Sequence, residues 1–223
     1  MSVAKPLPHD AASLHVTGQA RYVDDIPVPR DAVHLAFGVS EVASGEIASI
    51  DLNAVRQAPG VVLVMTAEDL ERDADTAPSA HDEPLLAKGK VHYAGQPVFL
   101  VAATSHLAAR KAVRLAKMDM RERAAVLTIE EALAKGQRFE EGPRVYQKGD
   151  ADAAIAGASH RLEGQIEIGG QEHFYLEGQS ALALPQEGGD MVVHSSSQHP
   201  TEIQHKVAHA LGLPMHAVRD EVR

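Results

Sequence analysis

The sequence holds no cysteine, which removes disulfides, iron–sulfur ligation and thiolate zinc sites from this chain. No apolar run approaches the ~20 residues of a membrane helix; Val61 to Met65 has five and Val98 to Ala103 six. The first residues, MSVAKPLPHD, lack the apolar stretch of a signal peptide. Basic residues are in deficit: the net charge is −10, which argues against a nucleic-acid surface built from clustered Lys and Arg. No Gly-rich phosphate loop is present, and Gly178-Gln179-Ser180 lacks the second glycine of a nucleophile elbow. A cytoplasmic protein without nucleic-acid or membrane partners is expected.

What is there suffices for a core. With 44% of its 223 residues hydrophobic, a chain of this size buries roughly 70–75% of its unfolded surface. Residues 1–30 read as an extended lead-in punctuated by Pro6, Pro8, Pro27 and Pro29, with a short strand over 15–23. Alternation predicts strands over 34–42 and 47–52, and Asp51 then caps a short helix stopped by Pro59-Gly60. The β-branched run 61–66 predicts a strand buried on both faces, followed by a capped turn at Thr66-Ala67-Glu68-Asp69. A polar loop covers 71–84, and a buried strand covers 98–103.

Further on, Thr104-Ser105 starts a helix over 106–117 with alternating apolar and basic faces, and 125–128 is strand-like. A capped helix covers 128–135 and ends at Gly136. Residues 136–150 form the domain boundary. Strands are expected over 161–168, 180–184 and 191–195, with a turn at 185–190. A helix over 201–211 places Ile203, Val207, Ala210 and Leu211 on one side. Strands and helices mix without a regular βαβ rhythm, so the fold class is α+β.

Three stretches carry chemistry. Gly169-Gly170-Gln171-Glu172-His173-Phe174-Tyr175-Leu176-Glu177 packs two glycines and several polar side chains into nine residues. Such a run either lets the backbone approach a ligand closely or makes a structural turn entering a strand. Ser195-Ser196-Ser197-Gln198-His199-Pro200 stands between a strand and a helix. Its small hydroxyls suit an oxo or phosphate ligand at free backbone N–H groups, or plain capping by Ser197 or Thr201. Five histidines follow at 194, 199, 205, 209 and 216. His205 and His209 share a helix face as zinc ligands would, but Lys206 occupies the position of the hydrolytic glutamate, and a solvated face is the alternative.

Taken in order, a series of motifs resembles the N-terminal portion of the molybdopterin-binding subunit of xanthine dehydrogenases and, more broadly, aldehyde oxidases. The series comprises Lys5-Pro6-Leu7-Pro8-His9-Asp10, Thr17-Gly18-Gln19-Ala20-Arg21-Tyr22-Val23-Asp24-Asp25-Ile26-Pro27 and Gly95-Gln96-Pro97-Val98. It continues with Ala125 to Ala132, the Gly169–Glu177 run and Ser196-Ser197-Gln198. Met118 to Ala124 departs from the family pattern, which reads more like V-x-Y-x-x-L-P there.

The resemblance implies an α/β hammerhead domain followed by the start of the molybdenum-cofactor-binding domain. The layout expected is an extended segment 1–14, the hammerhead 15–135, a linker 136–150 and the cofactor-binding part 151–223. It implies a molybdenum–molybdopterin cofactor and hydroxylation of a carbon beside a ring nitrogen, as in hypoxanthine and xanthine oxidised to urate, or of an aldehyde carbon. Electrons would pass through 2Fe-2S clusters and FAD on a partner subunit to NAD, in a dimer of heterodimers. Gln198 matches the glutamine contacting the molybdenum's oxo ligand. Gln171 and Gly170 match supporting cofactor-binding positions, and His173 and Glu177 structural ones. The family's catalytic base, substrate-orienting residues and cofactor cradle have no counterpart in these residues. No catalytic residue is therefore expected here, and residues 1–223 alone are expected to be inactive and to retain no molybdenum. The alternatives are a non-catalytic scaffold and a zinc-dependent hydrolase using His205 and His209.

Overall fold

The structure is a computed structural model that describes residues 3–72, 74–78, 80–139, 142 and 144–222. The expectations for the ends of the chain, for Asp73 and Ser79 of the polar loop, and for Glu140, Glu141 and Pro143 of the linker lie outside the described residues.

The elements run in the order α1 (Ala12–Thr17), β1 (His34–Val39), β2 (Gly45–Asp51), α2 (Asn53–Arg56), β3 (Val61–Thr66) and β4 (Lys90–Val91). Next come β5 (Pro97–Ala103), α3 (His106–Val113), β6 (Lys117–Glu122), α4 (Ile129–Ala134) and α5 (Ala151–Gly157). The last are β7 (Ala181–Pro185), β8 (Met191–Ser195), α6 (Pro200–Leu211) and β9 (Val218–Val222). The chain divides into two units: residues 1–123 with 176–223, and residues 124–175.

Among the described residues, the first unit contains three small sheets, ordered β1-β5-β3, β4-β2-β6 and β7-β8-β9. The first two are antiparallel throughout. A core cluster of described residues joins them: Leu52 at the start of α2 and Val55 within it, Val91 of β4, Val98, Phe99 and Val101 of β5, and Ala112 of α3. Ile47 and Ile50 of β2 and Met118 and Met120 of β6 pack against that cluster. The Gly95-Gln96-Pro97 turn is tied in by its backbone, since Ser40 N–H donates to the Gln96 carbonyl at 2.9 Å and Gly95 N–H to the Ser40 carbonyl at 2.7 Å. In the third sheet, β8 pairs antiparallel with β7 and parallel with β9, so the chain crosses over through α6 between β8 and β9.

Several local signals act as expected. Ser105 caps α3 by accepting from Ala108 N–H, and Thr128 caps α4 by accepting from Glu131 N–H. Asp69 closes the box after β3 by accepting from Thr66 N–H at 2.7 Å.

Other expectations need correction. Residues 15–23 make no strand: α1 forms over Ala12–Thr17 and ends at Gly18, whose φ of 70° carries the left-handed cap. Strand β3 is not buried on both faces, because it is an edge strand and leaves Val62 at 61% and Leu63 at 50% exposure. A β-branched run cannot distinguish an edge from a centre; here the doubly covered strand is the central β5. Helix α3 stops at Val113, and Lys117 to Glu122 becomes β6, which pairs along β2 with its two methionines turned inward. Residues 125–128 belong to no strand.

In the second unit, 161–168 alternates but forms no ladder. Leu162, Ile166 and Ile168 are exposed, and a strand without a neighbour leaves its backbone groups to water. Helix α5, which periodicity did not suggest, is capped by Asp150, whose Oδ1 accepts from Ala153 N–H at 2.9 Å.

Candidate cofactor site

The β8–α6 loop is held at both ends. On the strand side, Ser180 N–H donates to Ser196 Oγ at 3.0 Å, and Ser196 N–H to the Ser180 carbonyl at 3.2 Å. Ser195 is buried, and its hydroxyl donates to the Asp220 carboxylate of β9, with 3.0 and 3.1 Å to the two oxygens. On the helix side, Gln204 Nε2 of α6 donates to the carbonyls of Met215 at 3.0 Å and Val218 at 2.7 Å, fastening the helix to the start of β9. The helix cap is neither Ser197 nor Thr201. His199 takes that position, and its Nδ1 accepts from Glu202 N–H at 3.2 Å with Pro200 in the first turn. Ser197 Oγ instead accepts from His199 N–H at 3.0 Å and tightens the loop.

Gln198 stands in the middle of this pinned segment. Its side chain is exposed and makes no hydrogen bond to another described residue. The amide therefore has two donors and one acceptor uncommitted within this chain. The strand beneath it carries a polar pair that the sequence did not reveal. His194 is 9% exposed, and its Nδ1 lies 3.3 Å from Glu221 Oε2. That contact is not a hydrogen bond, and the buried Nδ1 makes none, while Glu221 Oε1 receives Arg219 at 2.7 Å.

The nine-residue run divides between the two units. Gly169 to Tyr175 lie in the second, without helix or strand, and Gly170, Gln171 and His173 are exposed there. The run is thus no turn entering a strand; only Ser180 is followed by one, β7. An added Cβ at Gly169 or Gly170 would meet nothing within 4 Å, so packing inside this chain does not require those glycines. Glu177 belongs to the first unit and is structural, as expected. Its Oε1 accepts from Val23 N–H at 2.8 Å across 154 residues of sequence.

His205 and His209 are exposed, one turn apart on α6. Among the described residues, no three His, Cys, Asp or Glu side chains are grouped to hold a metal ion, and the zinc reading lacks its third ligand. No helix among the described residues is long and apolar enough to cross a membrane.

Two family models cover most of the chain: the a/b hammerhead domain of aldehyde oxidase and xanthine dehydrogenase matches residues 17–124, and the molybdopterin cofactor-binding domain matches residues 136–223.

The chain belongs to the aldehyde oxidase and xanthine dehydrogenase family.

A xanthine dehydrogenase of Drosophila pseudoobscura pseudoobscura is 38% identical over 218 residues, 97% of this chain and 16% of that protein. Aldehyde oxidase 1 of Rattus norvegicus is 40% identical over 223 residues, 99% of this chain and 16% of that protein. The chain thus spans about a sixth of the length of these relatives. The aldehyde oxidoreductase of Desulfovibrio gigas superposes with a TM-score of 0.79 at 28% identity, over 95% of this chain and 25% of that one. The α+β fold is therefore that of the family's hammerhead domain followed by the start of its molybdenum-cofactor-binding domain.

Proposed function

We propose that this chain is part of the molybdenum-hydroxylase subunit of a xanthine dehydrogenase, which oxidises hypoxanthine and xanthine to urate. The donor chemistry of its residues suits the cofactor. An oxo group or a pterin phosphate accepts hydrogen bonds, and Gln198, Gln171 and the Gly170 backbone N–H are donors exposed in this chain. The observation that carries the reading is Gln198: an amide without an intramolecular partner, on a loop fixed to β7, β9 and α6. The pinned loop sets where the Gln198 backbone stands, so only the side-chain rotamer remains to be ordered on meeting an oxygen. Gln198 would hold the oxo ligand; Gln171 and Gly170 would support the cofactor. The cofactor, when bound, supplies the two-electron oxidation of the substrate carbon.

The remaining parts of the proposal follow the family. The hammerhead spans 15–135, a linker 136–150, and the cofactor-binding part begins at 151. A partner subunit carries the 2Fe-2S clusters and FAD and delivers electrons to NAD, in a cytoplasmic dimer of heterodimers.

The test is Gln198→Ala in the full-length subunit with its redox partner. Loss of a group that orients a metal ligand costs about 10–100-fold. We expect xanthine-dependent NAD reduction to fall within that range while the α6 fold persists by circular dichroism. An unchanged turnover with unchanged molybdenum content would overturn the assignment.

A further inference from the structure

A cleft of about 670 Å³ opens in the first unit between α6 and described residues between Ala67 and Lys88. One wall is the face of α6 that carries His205, Lys206 and His209; the other carries Arg72, His81 and Lys88. Between them the floor is apolar, with Leu70, Ala74, Pro84 and Leu86. A cleft of this size is within the range of small-molecule sites, roughly 300–1,000 Å³.

The charges are not matched within the cleft. The one carboxylate among the described residues lining it, Asp75, is held by the loop: Oδ1 accepts from Ala77 N–H at 2.8 Å and Oδ2 from Glu83 N–H at 3.0 Å. His81 comes no nearer to that carboxylate than 4.0 Å. Lys206 reaches across from α6 to donate to the Ala77 carbonyl, which fixes the two walls against each other. The Arg72 guanidinium lies over the helix C-cap, close enough that a Cβ at Gly212 would stand 2.7 Å from its Nη2. Neither Arg72 nor Lys88 has a hydrogen bond or ion pair with another described residue. Arg72 and Lys88 thus keep side-chain donors without a hydrogen-bond partner beside an apolar floor, Arg72 next to the helix C-terminus that favours a cation.

We infer that this cleft binds a small aromatic phosphate monoester, with the phosphate between Arg72 and Lys88 and the ring on the floor of Leu70 and Leu86. The polar groups that remain available are donors. Arginine offers a planar fork to phosphate oxygens and lysine a point charge, and such charge-assisted bonds are about twice as strong as neutral ones. His205 and His209 present flat edges beside the ring. The site is independent of the molybdenum reading and does not require it.

Calorimetric titration of the full chain with phenyl phosphate tests this, with phenol and inorganic phosphate as comparison ligands. Phenyl phosphate should bind at least fivefold more tightly than either, since only it uses both floor and cations. Lys88→Gln and His209→Gln, both at exposed positions, should each weaken it severalfold with the fold unchanged by circular dichroism. Arg110→Gln, in a second basic cluster on α3, should leave it unaltered. Equal binding of inorganic phosphate would overturn the role of the floor. Equal loss in Arg110→Gln, or no loss in Lys88→Gln, would reduce the effect to general electrostatics and overturn the site.

Discussion

Gly38→Ala separates packing from propensity in the centre of the first unit. Gly38 of β1 faces Phe99 of β5 in the sheet register. A Cβ built there would stand 1.9 Å from Phe99 Cε1 and 2.0 Å from Cζ, whereas non-bonded carbons sit about 3.5–4.0 Å apart. The ring has no room to retreat: Phe99 is 0% exposed and lies in the cluster with Val55, Val91 and Val101. Overpacking of this kind costs about 1–3 kcal/mol. Backbone entropy pulls the other way, because alanine inside a strand is better than glycine by roughly 0.5–1 kcal/mol. An overlap of about 1.5 Å or more, set against the ordinary contact distance, exceeds what side-chain adjustment absorbs, so the clash should win. Urea unfolding followed by far-ultraviolet circular dichroism should show Gly38→Ala about 1–2 kcal/mol less stable than the parent. The cost should shrink in a Phe99→Leu background, where the ring is gone, and this coupling identifies the contact as the cause. A Gly38→Ala variant as stable as the parent, or more so, would refute the packing argument.

Two further substitutions test local devices. Ser105→Ala removes the acceptor for Ala108 N–H at the start of α3 and should cost about 1 kcal/mol; the same urea assay reads it, and Ser105→Asp should restore most of the loss. Asp69 titrates below its ordinary 3.8 because it accepts from the Thr66 backbone N–H and then the Thr66 hydroxyl, with Arg56 adding a smaller attraction. A depressed folded-state value gives stability that is present above the unfolded value and is lost as pH falls through the folded one. Carboxyl-carbon NMR should place the Asp69 midpoint below that of an unfolded peptide, and Thr66→Val should raise it only part of the way. A midpoint at or above 3.8 would contradict the capping box.

The signals that the sequence states openly are the short-range ones. Ser105, Thr128 and the Thr66–Asp69 pair mark helix and turn starts because each supplies an acceptor to a backbone N–H three residues away. Strands β5, β7 and β8 were legible from their alternation or β-branched content. The same logic misplaced residues 161–168, whose period of two is strand-like but whose ladder has no neighbour among the described residues.

What tertiary structure decided was which of these patterns found partners. The switch from α3 to β6 at Lys117 depends on pairing with β2, more than 60 residues earlier. The edge position of β3 depends on β5 taking the centre. The helix cap passed to His199 although Ser197 and Thr201 flank it, because only the loop's path sets which side chain faces Glu202 N–H. Glu177 reaches Val23, His194 meets Glu221, and Arg72 lies beside α6, and in none of these pairs does spacing carry information. By itself the sequence determined the family, the caps at Ser105, Thr128 and Asp69 and the central strands, since those follow from nearest neighbours and from motifs. The charge left in the cleft and the rigidity under Gln198 arise from contacts between distant residues, which only the folded chain brings within bonding distance.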